Sequence, residues 1–211
     1  MSSVRLFKFT LFFLFIFGEP SFLRAKTNWE FLLSQEGVQV FKGSSQGSSP
    51  IPFKATGTLK FPLAKVLEAL VDETRKPLWA PKLKRVHIHH KESDLSVVLF
   101  SEFYKTPWPA YDREFLLQGS LIHLSKNKIL LKARSLNNST LTDDNHIQAK
   151  VDKLNLLLEG IGSDETRLTF EFHGDMMGYI PKWLSNIIQR KWPLKFILGL
   201  RAYLNKESLR Q

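Results

Sequence analysis

The chain has 211 residues, 43% hydrophobic and 24% charged, which is enough apolar matter for one packed core and excludes general disorder. Its net charge is +10, with no long Lys/Arg run and no Arg/Gly-rich or zinc-finger spacing, so an anionic lipid surface fits better than nucleic acid. Cysteine is absent, which excludes disulfides, a thiol nucleophile and a thiolate metal site.

Residues 1–25 read as a secretory signal peptide. Arg5 and Lys8 precede the apolar run Phe9–Phe17, which is too short to span a bilayer as a helix. Gly18 and Pro20 end the run, and Ala25 offers a small residue for cleavage. The leader carries Arg5, Lys8 and Arg24 against Glu19, so its removal leaves +8 on the domain 26–211. A secreted or periplasmic location is expected.

Asn28 to Leu33 is expected to form a short capped helix, followed by the alternating strand Val38–Phe41. The Gly/Ser-rich stretch Gly43–Pro50 reads as a turn, and Phe53–Phe61 as a second strand. Pro62 opens a helix with Val66, Leu67, Leu70 and Val71 on one face, and Asp72–Pro81 is a turn-rich link containing Trp79. Arg85–His90 pairs with Leu95–Tyr104 as a hairpin. The loop Thr106–Ala110, with Trp108 between two prolines, leads into Asp112–Leu117. Ile129–Ala133, Ile147–Leu158 and Arg167–His173 complete the strands.

The last element starts at a turn where Gly174 and Gly178 permit unusual backbone angles. Pro181 suits the first position of a helix. Trp183, Leu184, Ile187 and Ile188 then repeat at helical spacing, and Pro193 is expected to kink the helix before Leu194–Leu204. The order predicts an α+β domain, a curved antiparallel sheet gripping one long C-terminal helix. One helix cannot fill a strongly curved sheet, so an apolar gap between the two is expected.

Trp29, Glu36–Val40, Phe53–Gly57, Val71-Asp72 with Trp79, Pro107–Pro109 with Asp112-Arg113, Gly178–Asn186, Pro193-Leu194 and Leu200-Arg201 occur in an order that resembles the START family, the steroidogenic acute regulatory protein-related lipid transfer domains. The resemblance covers about residues 28–204 and is nearest to bacterial members with a secretory leader. It implies a helix-grip fold with an internal hydrophobic tunnel closed by the C-terminal helix, a single bound lipid or other hydrophobic molecule, and no catalytic residue, metal or cofactor. It also implies a monomer that meets a membrane surface transiently. The alternative is an enzyme of the same fold, cyclase- or hydrolase-like, acting on a hydrophobic substrate. Several animal members bury a second basic residue six positions beyond the Asp-Arg pair, where this chain has Gly119.

The candidate tunnel or gate residues are Trp79, Phe103, Trp108, Arg113, Met177, Ile180, Trp183, Leu184, Ile187 and Ile188. Arg113 has two readings, a clamp for a lipid phosphate or an ion pair with Asp112, Glu114 or Glu102. Trp79 either lines the tunnel or packs in the core. His87 and His89 share one strand face, but nothing nearby in sequence completes a zinc site. His173 beside Asp175 lacks a partner nucleophile.

Overall fold

The computed structural model describes residues 27–44 and 50–210, apart from the side chains of 182, 183 and 185–189. The signal-peptide reading therefore lies outside the described residues. Ten strands form one sheet: β1 (Trp29–Gln35), β2 (Val38–Gly43), β3 (Phe53–Leu59), β4 (Leu83–Lys91), β5 (Val98–Tyr104), β6 (Arg113–Ser125), β7 (Lys128–Ser135), β8 (Ile147–Gln148), β9 (Lys150–Ile161) and β10 (Glu165–Asp175). The spatial order is β1-β2-β3-β10-β9-β7-β6-β5-β4, antiparallel throughout, and the short β8 runs parallel to β6. Helix α1 (Leu63–Val71) starts after Pro62, a 3-10 turn spans Lys76–Leu78, and helix α2 (Lys182–Ser208) ends the chain. This is the α+β helix-grip architecture.

The opening segment is a strand, not the capped helix expected from Asn28. Glu36 and Gly37 both have positive φ, 50° and 71°, as a two-residue hairpin turn that matches strand twist requires. Gln35 pairs with Val38 across that turn, and the pairing overrides the local helical pattern.

Period-two alternation then decides what is inside. On β10, Leu168, Phe170 and Phe172 are buried, and on β3 so are Phe53, Ala55 and Leu59. Helix α2 lies across β2 and β3, burying Leu194, Phe196, Ile197, Leu200 and Leu204. Glycine allows the approach. A Cβ at Gly57 would lie 3.2 Å from Ile197 Cγ2, and one at Gly199 only 2.4 Å from the Trp79 carbonyl oxygen. Arg201 completes this contact by donating to Glu36 O (2.7 Å) and Thr58 O (3.0 Å).

One expectation about the C-terminal region changes. Gly174 is not part of the turn: it sits within β10, where a Cβ would come within 2.4 Å of Lys150 O, so close strand packing explains the glycine. Helix α2 runs on through Pro193, so the proline costs the helix a backbone hydrogen bond without ending it.

Candidate functional site

Between the sheet and its cover three hollows follow one another. The inner hollow, about 120 Å³, lies under the end of α1, with Leu70, Val86, Phe100, Leu121, Leu131 and Gly119 in its wall. The waist, about 20 Å³, lies among Tyr104, Phe115, Phe170, Phe172, Trp192 and Phe196. The mouth, about 630 Å³, opens between Trp79, the segment Lys105–Pro107, Met176 and the side chains of Leu184, Trp192 and Leu198 on α2. Inner hollow and waist share Lys76, Glu102, Leu154 and Leu156, and waist and mouth share Tyr104, Phe115 and Trp192. The waist has room for about one water molecule, so the row is not an open tunnel. Trp192 stands in the middle of it, edge-on to Phe53, Tyr104, Phe170 and Phe172 at 5.6–6.0 Å between ring centres.

Polar groups are few. Lys76 of the 3-10 turn forms an ion pair with Glu102 Oε1, and the Tyr104 hydroxyl donates to Glu102 Oε2 at 2.7 Å. Burial, reinforced by the Glu102 charge, pushes the Tyr104 pKa well up, so its proton stays in place. Gly119 leaves the inner wall without a side chain. The cation facing Glu102 thus comes from another element of the fold.

Arg113 is 1% exposed and makes no direct ion pair with Asp112, Glu114 or Glu102. Neighbouring residues of a strand point to opposite faces, which separates it from Glu114. Its guanidinium donates instead to backbone carbonyls: Tyr111 O, Met176 O (3.2 Å), Met177 O (2.9 Å) and Tyr179 O (3.3 Å). It therefore pins the loop that feeds α2, in which Met177 and Gly178 both have positive φ. Burial lowers its pKa, partly offset by Asp112. Asp112 accepts from Thr106 N (2.9 Å) and Lys84 Nζ (3.1 Å). Two consecutive residues thus staple the two loops that flank the mouth.

Of the other candidates, Trp79 and Leu184 are buried and line the mouth. Trp79 also packs edge-on against Phe196, 5.1 Å between ring centres, so it is a core residue that borders the mouth. Ile180 is half-buried and Met177 exposed, and neither is in the wall of these three hollows. Trp108 is 88% exposed beside the mouth segment. Phe103 lies on the wrong face. It is buried on the outside of the sheet, under the Arg85 guanidinium (3.4 Å) and against His146 (5.0 Å). The side chains of Trp183, Ile187 and Ile188 lie outside the described residues. His89 bonds to Ser101 Oγ at 2.9 Å, and among the described residues no three His, Asp or Glu gather as a metal site would require.

Sequence reasoning named Glu102 only as a partner for Arg113, and missed Trp192, Tyr104 and Lys76. All but Lys76 carried a signal. Trp192 precedes the helix-interior proline, and Glu102 and Tyr104 alternate with the outward Ser101 and Phe103. Lys76, in a turn, carried none.

No protein-family model matches the chain. It is 22% identical over 182 residues to an uncharacterized protein of Pseudomonas aeruginosa, covering 85% of this chain and 88% of that one. It is 24% identical over 164 residues to the phosphatidylcholine transfer protein of Mus musculus, 75% of each chain. Its structure superposes on a STAR-related lipid transfer protein of Xanthomonas axonopodis with a TM-score of 0.74 at 18% identity, over 84% of this chain and 98% of that one. The chain has a START fold. A Streptomyces aromatase/cyclase is more distant, with a TM-score of 0.50 over 75% of this chain and 94% of its own. The START fold accounts for the sheet and the long terminal helix.

Proposed function

We propose that the chain binds one lipid in the row of hollows and exchanges it with a membrane through the mouth. The observation that carries this reading is the mouth itself. At about 630 Å³ it lies within the range of ligand cavities, and its wall includes residues of the long helix α2. Burial of each methylene there contributes roughly 0.8 kcal/mol relative to water, so a dry row of hollows competes with a bilayer without an energy source. The names of the mouse and Xanthomonas relatives support the same reading.

The mouth also has the surface a bilayer would meet. Trp108, Tyr111 and Tyr179 are exposed around it, and Trp and Tyr favour the membrane interface. Lys82, Lys105, Lys191 and Lys195 line it and are exposed, which suits an anionic leaflet. Among the described residues no helix is long and apolar enough to cross a membrane. In this reading the protein works as a monomer, exported by its leader. For a chain longer than a few carbons to pass from mouth to inner hollow, Trp192 must swing out of the waist. Pro193 is placed to permit that, because it leaves the carbonyl four residues earlier without its helical partner.

Native mass spectrometry of the purified protein after mixing with a lipid extract tests the reading. A one-to-one lipid adduct is expected. A protein that stays empty against every lipid class contradicts it.

A further inference from the structure

We infer that Lys76 marks a subsite for an uncharged acceptor oxygen of the ligand, so that the preferred lipid carries an acyl ester with hydrocarbon on both sides of it. The inference rests on the lipid-binding reading and names the class of lipid.

The ammonium of Lys76 lies in the wall common to the inner hollow and the waist. It has three N–H donors. One is used on Glu102 Oε1, and the others have no side-chain partner among the described residues. The second carboxylate oxygen is taken by the Tyr104 hydroxyl, 2.7 Å away. The trio therefore offers spare donors to a ligand, while each of its carboxylate oxygens already accepts one hydrogen bond. Its charge is balanced, one cation against one anion. A carboxylate or phosphate brought to Lys76 would leave a net negative charge among Leu154, Leu156, Phe115 and Phe170, which is strongly unfavourable in an apolar surround. An ester carbonyl accepts the spare hydrogen bonds and adds no charge. The hollows on either side of Lys76 are apolar, which places the oxygen between two stretches of hydrocarbon rather than at the end of one.

Three ligands of similar length separate the possibilities: octyl decanoate, its isomer octadecanoic acid, and octadecane. Each is delivered from cyclodextrin to the full-length protein and followed by tryptophan fluorescence, since Trp192 stands in the waist. The expected order places octyl decanoate at least tenfold tighter than either of the others. The paired variant Lys76→Met with Glu102→Gln, which removes both charges together, abolishes the preference for the ester over octadecane. Equal binding of ester and alkane by the wild type overturns the inference while leaving lipid binding intact. Tighter binding of the acid than of the ester overturns it too, and makes Lys76 an anion site. If none of the three binds, the lipid-binding reading fails first and takes the subsite with it. Should the paired variant not fold, the wild-type order alone decides.

Discussion

The two halves of helix α2 are held in different ways. From Leu194 onward the helix is fastened: Ile197 and Leu200 are fully buried, Gly57 and Gly199 bring backbones into close approach, and Arg201 bonds to two carbonyls of the sheet region. From Lys182 to Trp192 it stands over the mouth. Leu184 and Trp192 reach inward there, and Arg113 holds the loop that precedes it. The junction is Pro193, where a helical hydrogen bond is missing. On the proposed function, one helix serves as a structural clamp at one end and as a movable cover at the other, with Pro193 at the division.

Substitutions can break that contrast from either side. Leu200→Ala in the fastened half should cost about 2–5 kcal/mol in denaturant unfolding and leave the lipid affinity of the folded fraction unchanged. Trp192→Ala should cost less, about 3 kcal/mol at most, because the ring borders empty space. It should also speed lipid uptake, read by stopped-flow transfer from labelled vesicles. An unchanged uptake rate would remove Trp192 from the path. Arg113→Ala should cost roughly 1.5–3 kcal/mol through lost charge-assisted hydrogen bonds, with amide exchange rising across residues 176–192 and unchanged across 194–204. Trp108→Ala should shift stability by less than about 0.5 kcal/mol but weaken binding to anionic vesicles in a flotation assay.

The smallest effect concerns pH. Burial works against the Asp112 carboxylate, but the Thr106 N–H, the Lys84 ammonium and nearby positive charge outweigh it and hold its pKa below the usual value. Since the folded-state pKa is the lower one, the staple contributes fully above about pH 4 and is lost as pH falls through the folded value. The Thr106 amide should therefore exchange relatively faster there, and Asp112→Asn should remove that pH dependence.

Much of this was legible in the chain. The alternation of Phe53–Leu59 and Leu168–Phe172, the span of α1 and the long terminal helix could all be read, and the START resemblance assembled them into the helix-grip fold. The site was less legible for definite physical reasons. Three of the four carbonyls that Arg113 bonds lie 63–66 residues away, and a backbone carbonyl has no sequence signature. Whether Phe103 or Tyr104 faces the hollow depends on the register of β4, β5 and β6, and a shift of one residue exchanges the faces. The 3-10 turn that carries Lys76 takes its position from packing against α1 and β4. The opening strand was misread because a short apolar run after Asn28 fits a capped helix, and it is pairing with β2 across the Glu36-Gly37 turn that extends it.

Amide hydrogen exchange along α2, measured by mass spectrometry with and without phosphatidylcholine vesicles, tests the division most directly. Residues 194–204 should be protected to the limit of global unfolding in both conditions, while 184–192 exchange faster and respond to the vesicles. Uniform protection along the whole helix, unaffected by lipid, would contradict the account.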